Sequence, residues 1–301
     1  MRPLSALPGE FRGIVRGVDD WFFGAADDRA YAALRIGYAV SAFAVLVDFW
    51  QFRYTLLANT GLFGGATAGA PLLPLNVFAV ARSETAVSVV MIVTGAAMLC
   101  LALGVFPRTA AVITYVWTLS YASTAPASQS GFDTILRVIG FVLVISPSFG
   151  PWRLGRYSRP RGPPPVYALR LVQWQLMLVY VCTVWLKAPD QFWRNGDAIT
   201  YFMMSMFARF PDPSLANIGP LGAILDYGTL IIEATVPFLL WMRRTRFLGV
   251  FLGVSLHVGI GITSKLALFS VCIVPLYAAF FERQDFERIA GWFGRSAPNT
   301  P

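Results

Sequence analysis

Eight mostly apolar segments, at about residues 30–50, 84–106, 108–126, 131–148, 165–187, 221–242, 246–263 and 266–282, leave this chain few ways to fold. Several reach the ~20 apolar residues that an α-helix needs to cross a bilayer. In hydrocarbon every backbone N–H and C=O must find its partner within the chain, so runs of this length become helices. Composition agrees. Only 13% of the 301 residues are charged, against roughly 25% in ordinary soluble domains, and the mean hydropathy is +0.59. The expected fold is all-α, a polytopic membrane helical bundle of about eight transmembrane helices with interfacial amphipathic helices. The expected parts are an N-terminal cytoplasmic or interfacial segment (1–29), a transmembrane domain (30–285) and a cytoplasmic C-terminal tail (286–301).

The formal charge of +8 has no soluble basic domain to sit on, so it does not point to nucleic acid. It follows instead from topology. With eight spans and a cytoplasmic N-terminus, fifteen arginines fall in inner segments and six basic residues in outer ones. Positive charge favours the cytoplasmic side, which puts both termini inside and Lys187 near the outer face. The stretches 51–83 and 188–220 then lie outside. Both are too apolar for solvated loops and are expected to fold back over the bundle. The arginine- and proline-rich connection Trp152–Pro165 reads as an inner linker at an acidic lipid surface. Residues 1–29 lack the uninterrupted apolar core of a signal peptide. Phe11, Ile14, Val15, Val18, Trp21 and Phe22 recur at helical spacing there, as in a helix lying on a membrane surface. Cys100, Cys182 and Cys272 sit singly in apolar runs, where packing explains them better than a disulfide or zinc.

The sharpest local signal is Val184-Trp185-Leu186-Lys187-Ala188-Pro189-Asp190. It ends the apolar run Ala168–Trp185 with an amine, and Pro189 stops the helix because it lacks an N–H. Of 24 basic residues, only Lys187 and Lys265 are lysine. A chain that otherwise uses arginine has reason to place a lysine where an amine must release a proton, which a guanidinium does not do. An amine held against an apolar wall is suited to general-base work. The competing reading is a lysine snorkelling at a helix end. Downstream, Trp193, Ile199, Phe202, Met203, Met206 and Phe207 fall near one helical face, the pattern of an interfacial lid over an apolar ligand.

Arg35, Asp48, Asp133, Arg137, Arg170, Asp226, Glu233 and His257 lie inside the apolar segments, where each is expected to be paired or functional. Asp133 and Arg137 stand four apart, the spacing of an intrahelical ion pair, and are read as structural. Glu233 precedes Pro237 by four, so the proline frees its carbonyl. Its carboxylate either faces a cavity or pairs with Arg170 or Arg35. His257, the only histidine, is expected to be hydrogen-bonded rather than a metal ligand, since no second histidine exists. No metal is expected. Neither Gly61, Gly64 and Gly65 nor Gly259 and Gly261 have the strand–helix setting of a nucleotide fingerprint.

Lys187, Trp193, Gly196 and Ala198, in the form Lys-x5-Trp-x2-Gly-x-Ala, resemble the lysine–tryptophan–glycine signature of the horizontally transferred transmembrane (HTTM) family. That family includes the membrane part of vitamin K-dependent γ-carboxylase. Three further stretches agree in order. They are Asp133 to Arg137 with Ser146-Pro147 and Trp152-Arg153-Leu154, then Glu233-x3-Pro237-x-Leu239-Leu240, and Arg246-x10-His257 followed by Lys265 to Ser270. The resemblance spans roughly residues 25–285.

It implies that Lys187 deprotonates an isoprenoid hydroquinone of the vitamin K or menaquinol type, which then reacts with O2 to an epoxide. His257 and Glu233 would position the quinol oxygens as catalytic partners. Trp193, Gly196, Phe202, Met203 and Met206 would hold the ring. Two departures bear on this. The carboxylase has a large lumenal C-terminal domain for its protein substrate, whereas this sequence ends soon after the last apolar segment. Where the carboxylase has an Asn-His pair ahead of the fourth-span motif, this chain has Gln129–Phe132. Both count against glutamate carboxylation and leave hydroquinone oxidation open. The expected partners are membrane lipid and quinone, with an unknown protein partner and no nucleic acid, in a bacterial inner membrane. The alternative is a non-catalytic lipid- or quinone-binding module serving a separate partner. A transporter fits less well, because no matched Gly/Pro-broken segments occur in the two halves.

Overall fold

The computed structural model describes residues 9–63, 75–154, 162–212, 214, 220–292 and 294. Gly64, Gly65 and the linker arginines Arg156, Arg159 and Arg161 lie outside the described residues, as do Arg2 and Arg295. In chain order the helices are α1 (Gly9–Phe23), α2 (Asp28–Trp50), α3 (Arg53–Leu57), α4 (Glu84–Leu103), α5 (Pro107–Thr124), α6 (Gly131–Val144) and α7 (Tyr167–Lys187). They continue with α8 (Gln191–Asn195), α9 (Ala198–Met204), α10 (Pro220–Trp241), α11 (Arg246–Thr263), α12 (Ala267–Ile273) and α13 (Arg283–Trp292). A 3-10 segment, Val274–Phe280, prolongs α12. No strand occurs among the described residues; two isolated bridges, Ala25 with Pro165 and Ala208 with Ser264, pin loops together.

Local chemistry sets the helix ends. Asp27 caps α2 by accepting the Arg29 N–H at 2.8 Å, and Ser83 caps α4 through the Ala86 N–H at 3.2 Å. Gly104, at φ 74°, closes α4 in the left-handed conformation that glycine adopts without a Cβ clash. Pro107 opens α5, where its missing N–H costs nothing. Ser130 and Asp133 form a capping box at the start of α6.

Five helices, α2, α4, α7, α10 and α11, are long and apolar enough to cross a membrane. A sixth is added if α12 with its 3-10 extension and α13, bent by 111°, count as one broken span. Three of the eight expected segments therefore fall short of that standard. α6 has 14 residues, a rise of ~21 Å against a hydrocarbon core of ~30 Å. α5 is long enough at 18 residues but carries seven Ser, Thr and Arg side chains. These shorter pieces fill the interior beside the long ones, while Trp185, Ile231, Phe238 and Phe251 leave their apolar faces on the outside of the bundle.

The helix ends sort into two groups. Arg35, fully buried on α2, donates to the carbonyls of Leu101 (2.5 Å), Ala102 (2.8 Å), Phe149 (2.9 Å) and Trp152. One guanidinium thus ties the end of α4 and the loop after α6 to the first half of α2. The bridge from Ala25 to Pro165 brings the start of α7 to that same end. Trp50, Arg53 and Ser88 mark the opposite end, where Arg53 donates to the Trp50 carbonyl at 2.6 Å and to Ser88 at 3.2 Å. Lys187, at the far terminus of α7, belongs there.

Several interior charges depart from expectation. Asp133 accepts from the Ser130 N–H at 2.6 Å and from the Tyr121 hydroxyl at 2.5 Å, while Arg137 donates to Gln129 and Thr134. The anticipated Asp133–Arg137 ion pair is not formed. A carboxylate at the third helical position is drawn back to the helix start, away from the turn ahead of it. Asp48 is exposed, two residues from the end of α2.

Candidate functional site

α7 ends in Lys187, and α10 runs beside it. Lys187 Nζ donates to both carboxylate oxygens of Glu233, at 2.7 and 2.8 Å. The two side chains are 25% and 7% exposed. This corrects one of the two alternatives expected for Glu233, pairing with Arg170 or Arg35. Both arginines sit at the other end of the bundle, and α10 places the carboxylate against the lysine instead. Trp193 closes a third side: Lys187 Nζ lies 4.6 Å from its ring centroid, within cation–π range.

The segment after Lys187 is built to put Trp193 there. Asp190 caps α8 by accepting from the N–H groups of Phe192 (2.9 Å) and Trp193 (3.4 Å). Gly196 ends α8 at φ 80°, and a Cβ on it would meet Ala223 of α10 at 2.6 Å. Two independent demands, a left-handed turn and close contact with α10, account for glycine at this position. Asp226, fully buried on α10, then accepts from the N–H groups of Ala198 and Ile199, both at 2.8 Å. It caps α9 from a neighbouring helix. The next residues are strapped to α11 by Lys265 N–H to Phe207 O and Arg209 N–H to Thr263 O, both 2.9 Å.

Deeper in the bundle, His257 of α11 meets Tyr180 of α7, with Nε2 and Oη 3.1 Å apart. The Tyr180 hydroxyl is also hydrogen-bonded to that of Tyr277. Gly253 makes this possible, since a Cβ there would fall on the Tyr277 hydroxyl. His257 is 3% exposed, and its Nδ1 has no hydrogen-bond partner among the described residues. Lys187 and Tyr180 stand seven apart on α7, so they share a helix face.

Between α7 and α10 lies a hollow of about 550 Å³. Its walls are Val181, Val184, Trp185, Pro189, Ala234 and Phe238, and Glu233 is the one ionisable group on them. The site thus joins an apolar cleft open to the bundle surface, a carboxylate on its wall, and an ammonium bonded behind that carboxylate.

A family model for the HTTM domain matches residues 25–285. The chain belongs to the HTTM family. No curated protein and no solved structure matches it.

Membership in the family makes this an integral membrane domain, consistent with its long apolar helices. Of the residues singled out in the sequence, the HTTM fold gathers Lys187, Glu233 and Trp193 in direct contact, with His257 deeper in. Gly196 shapes the segment. Phe202, Met203 and Met206 are not among the walls of the hollow, and Met206 is 76% exposed. The lid is not one amphipathic helix over 193–207: Gly196 breaks it in two, and α9 ends at Met204, so a helical phase carried across the break misplaces those side chains. Sequence reasoning missed Tyr180, Tyr277 and the capping role of Asp226. Only Asp226 carried a signal, as a carboxylate inside an apolar run.

Proposed function

We propose that this HTTM protein is a membrane enzyme that binds an isoprenoid hydroquinone in the cleft between α7 and α10 and oxidises it with O2. The reading rests on one observation above all: the Lys187 ammonium is bonded to both oxygens of Glu233, and that carboxylate forms part of the wall of an apolar hollow. The pair carries no net charge, so placing it in a greasy setting is less costly than burying either ion alone. Glu233 and Lys187 together act as the base. A proton leaving the quinol hydroxyl is taken up by the pair, which becomes cationic as the quinolate becomes anionic, and the site stays neutral throughout. Trp193 limits water access to the amine. The quinolate then reacts with O2, one oxygen entering the epoxide and the other leaving as water. Gln129–Phe132, lacking a histidine, supplies no group for carboxylation. In this reading eight helical segments cross or enter a bacterial inner membrane, α1 lies in the interface, both termini are cytoplasmic, and Lys187 faces the outside.

The same ion pair would suit a module that merely holds a quinone for a partner protein. Glu233→Gln separates the two, because it keeps the shape of the side chain but leaves nothing on the cleft wall to take the proton. With reduced vitamin K and O2 supplied to purified protein, epoxide should form with wild type and not with Glu233→Gln. Equal turnover by that variant would falsify the base role; quinone binding unchanged in a protein that never forms epoxide would favour the holding module.

A further inference from the structure

A second, larger cavity lies at the opposite end of α7 from Lys187, and its occupant is independent of the quinone reading. It measures about 990 Å³ and opens between α1, the starts of α2 and α7, the end of α10 and the turn into α13. Five arginines and three acidic residues line it. Most of those arginines are already engaged. Arg29 pairs with Asp27 at 2.6 Å, and Arg283 with Glu287 at 2.7 Å. Arg243 and Arg246 share Glu282, at 2.7 and 2.9 Å, and Arg246 is also bonded to Asp285.

Arg170 is different: among the described residues it has no carboxylate partner within ion-pair distance. Its guanidinium lies 4.7 Å from the Trp21 ring and 5.4 Å from the Trp241 ring. Nε donates to the Trp21 carbonyl at 3.2 Å, and Nη1 to Gln173 Oε1 at 2.8 Å. Gln173, 5% exposed, is fixed in turn by donating to the Ala279 carbonyl at 2.7 Å. Nη2 has no acceptor among the described residues. A planar cation is therefore held rigid and partly desolvated by indole rings, with donor capacity left over on a cavity wall. Such an arrangement matches the tetrahedral oxygens of phosphate, because the fork geometry is already set and little side-chain entropy remains to be lost.

The surroundings say what carries the phosphate. Trp21, Trp174 and Trp241 cluster at this level, with Trp21 stacked on Trp241 at 6.0 Å and Trp174 6.3 Å from each. Tryptophans gather where headgroups meet hydrocarbon. On α1, the helix that brings Trp21 to the cavity, Ile14, Val18 and Phe23 leave apolar side chains exposed. We propose that this cavity binds the phosphate of an anionic amphiphile, with Arg170 as its principal ligand and Trp21 and Trp241 as its flanking walls.

The test uses full-length protein in neutral detergent, titrated with phosphatidylglycerol or phosphatidylcholine and read by native mass spectrometry. Wild type should bind phosphatidylglycerol at least about tenfold tighter, and Arg170→Gln should reduce that preference to about twofold or less. Arg170→Lys, which keeps the charge but not the planar fork, should lose about threefold and serves where the glutamine variant does not fold. A preference unchanged by either substitution, or absent from wild type, overturns the site. Inorganic phosphate competing at millimolar concentration would identify a free anion as the occupant; failure to compete identifies the lipid headgroup.

Discussion

Removing one member of the Lys187–Glu233 pair should cost more than removing both. Breaking a fully buried pair leaves an uncompensated charge and costs ~3–5 kcal/mol. Here the lysine side chain is 25% exposed and can recruit water, whereas the glutamate, at 7%, cannot do so readily. Glu233→Met should therefore destabilise by ~2 kcal/mol, and Lys187→Met, which strands the carboxylate, by ~3 kcal/mol. The double variant Lys187→Met/Glu233→Met removes both charges and fills the space with apolar atoms, so it should lie within ~1 kcal/mol of wild type. The coupling energy across the cycle is then ~4–6 kcal/mol. It can be measured by reversible unfolding of the four proteins in mixed micelles, followed by helicity. A coupling of ~0.5 kcal/mol or less would be that of a solvated surface pair, and would refute the view that these two groups share a protected site.

Gly253→Ala should drive a methyl into the Tyr277 hydroxyl, costing ~1–3 kcal/mol in thermal unfolding, and Tyr277→Phe in the same chain should recover part of it. Asp226→Ala should leave two N–H groups of α9 without their acceptor, a loss of ~1–2 kcal/mol, and make the chain cleave faster at Arg194 and Arg209 under limited trypsin digestion. Arg35→Gln should unfold at markedly lower temperature, because four carbonyls lose a charged donor worth ~1.5–3 kcal/mol each before relaxation. Asp27 should make stability fall in acid. Burial raises its pKa, but the Arg29 side chain and backbone N–H outweigh this and hold it below the usual carboxylate value. Its contribution is therefore complete above pH ~3.9 and is lost as pH falls through the lower folded-state value. Asp27→Asn should flatten that part of the pH–stability curve.

How much of this was legible in the sequence differs by scale. Long apolar runs declared the membrane class, and α11 begins and ends at the residues expected of it, because Arg246 and Thr263 bracket an unbroken apolar stretch. The end of α7 at Lys187 followed from Pro189. α6 was overestimated, since the apolar pattern continues through Ile145 past a helix that ends at Val144, before Pro147. The site was legible as a set of unusual residues but not as a set of contacts. Lys187 stood out by being a lysine and Glu233 by its depth, yet nothing local links two positions 46 residues apart. Tyr180 and Tyr277 were illegible, because tyrosine in an apolar run is ordinary and only the third dimension joins their hydroxyls. The lid failed for a different reason. Helical phase is reset at Gly196, so a pattern carried across it has no meaning.

The distance in sequence between Lys187 and Glu233 also governs how the protein is made. Chain synthesis at about 5–20 residues per second delivers the glutamate ~2–9 s after the lysine. For those seconds the nascent chain holds an ammonium at the rim of the bilayer with no counter-ion, and α7 has no stable neighbour on that face. Arrival of α10 neutralises the charge and docks the helix in one event. Until α10 arrives, the Lys187 ammonium therefore lacks the carboxylate that holds it in the finished protein.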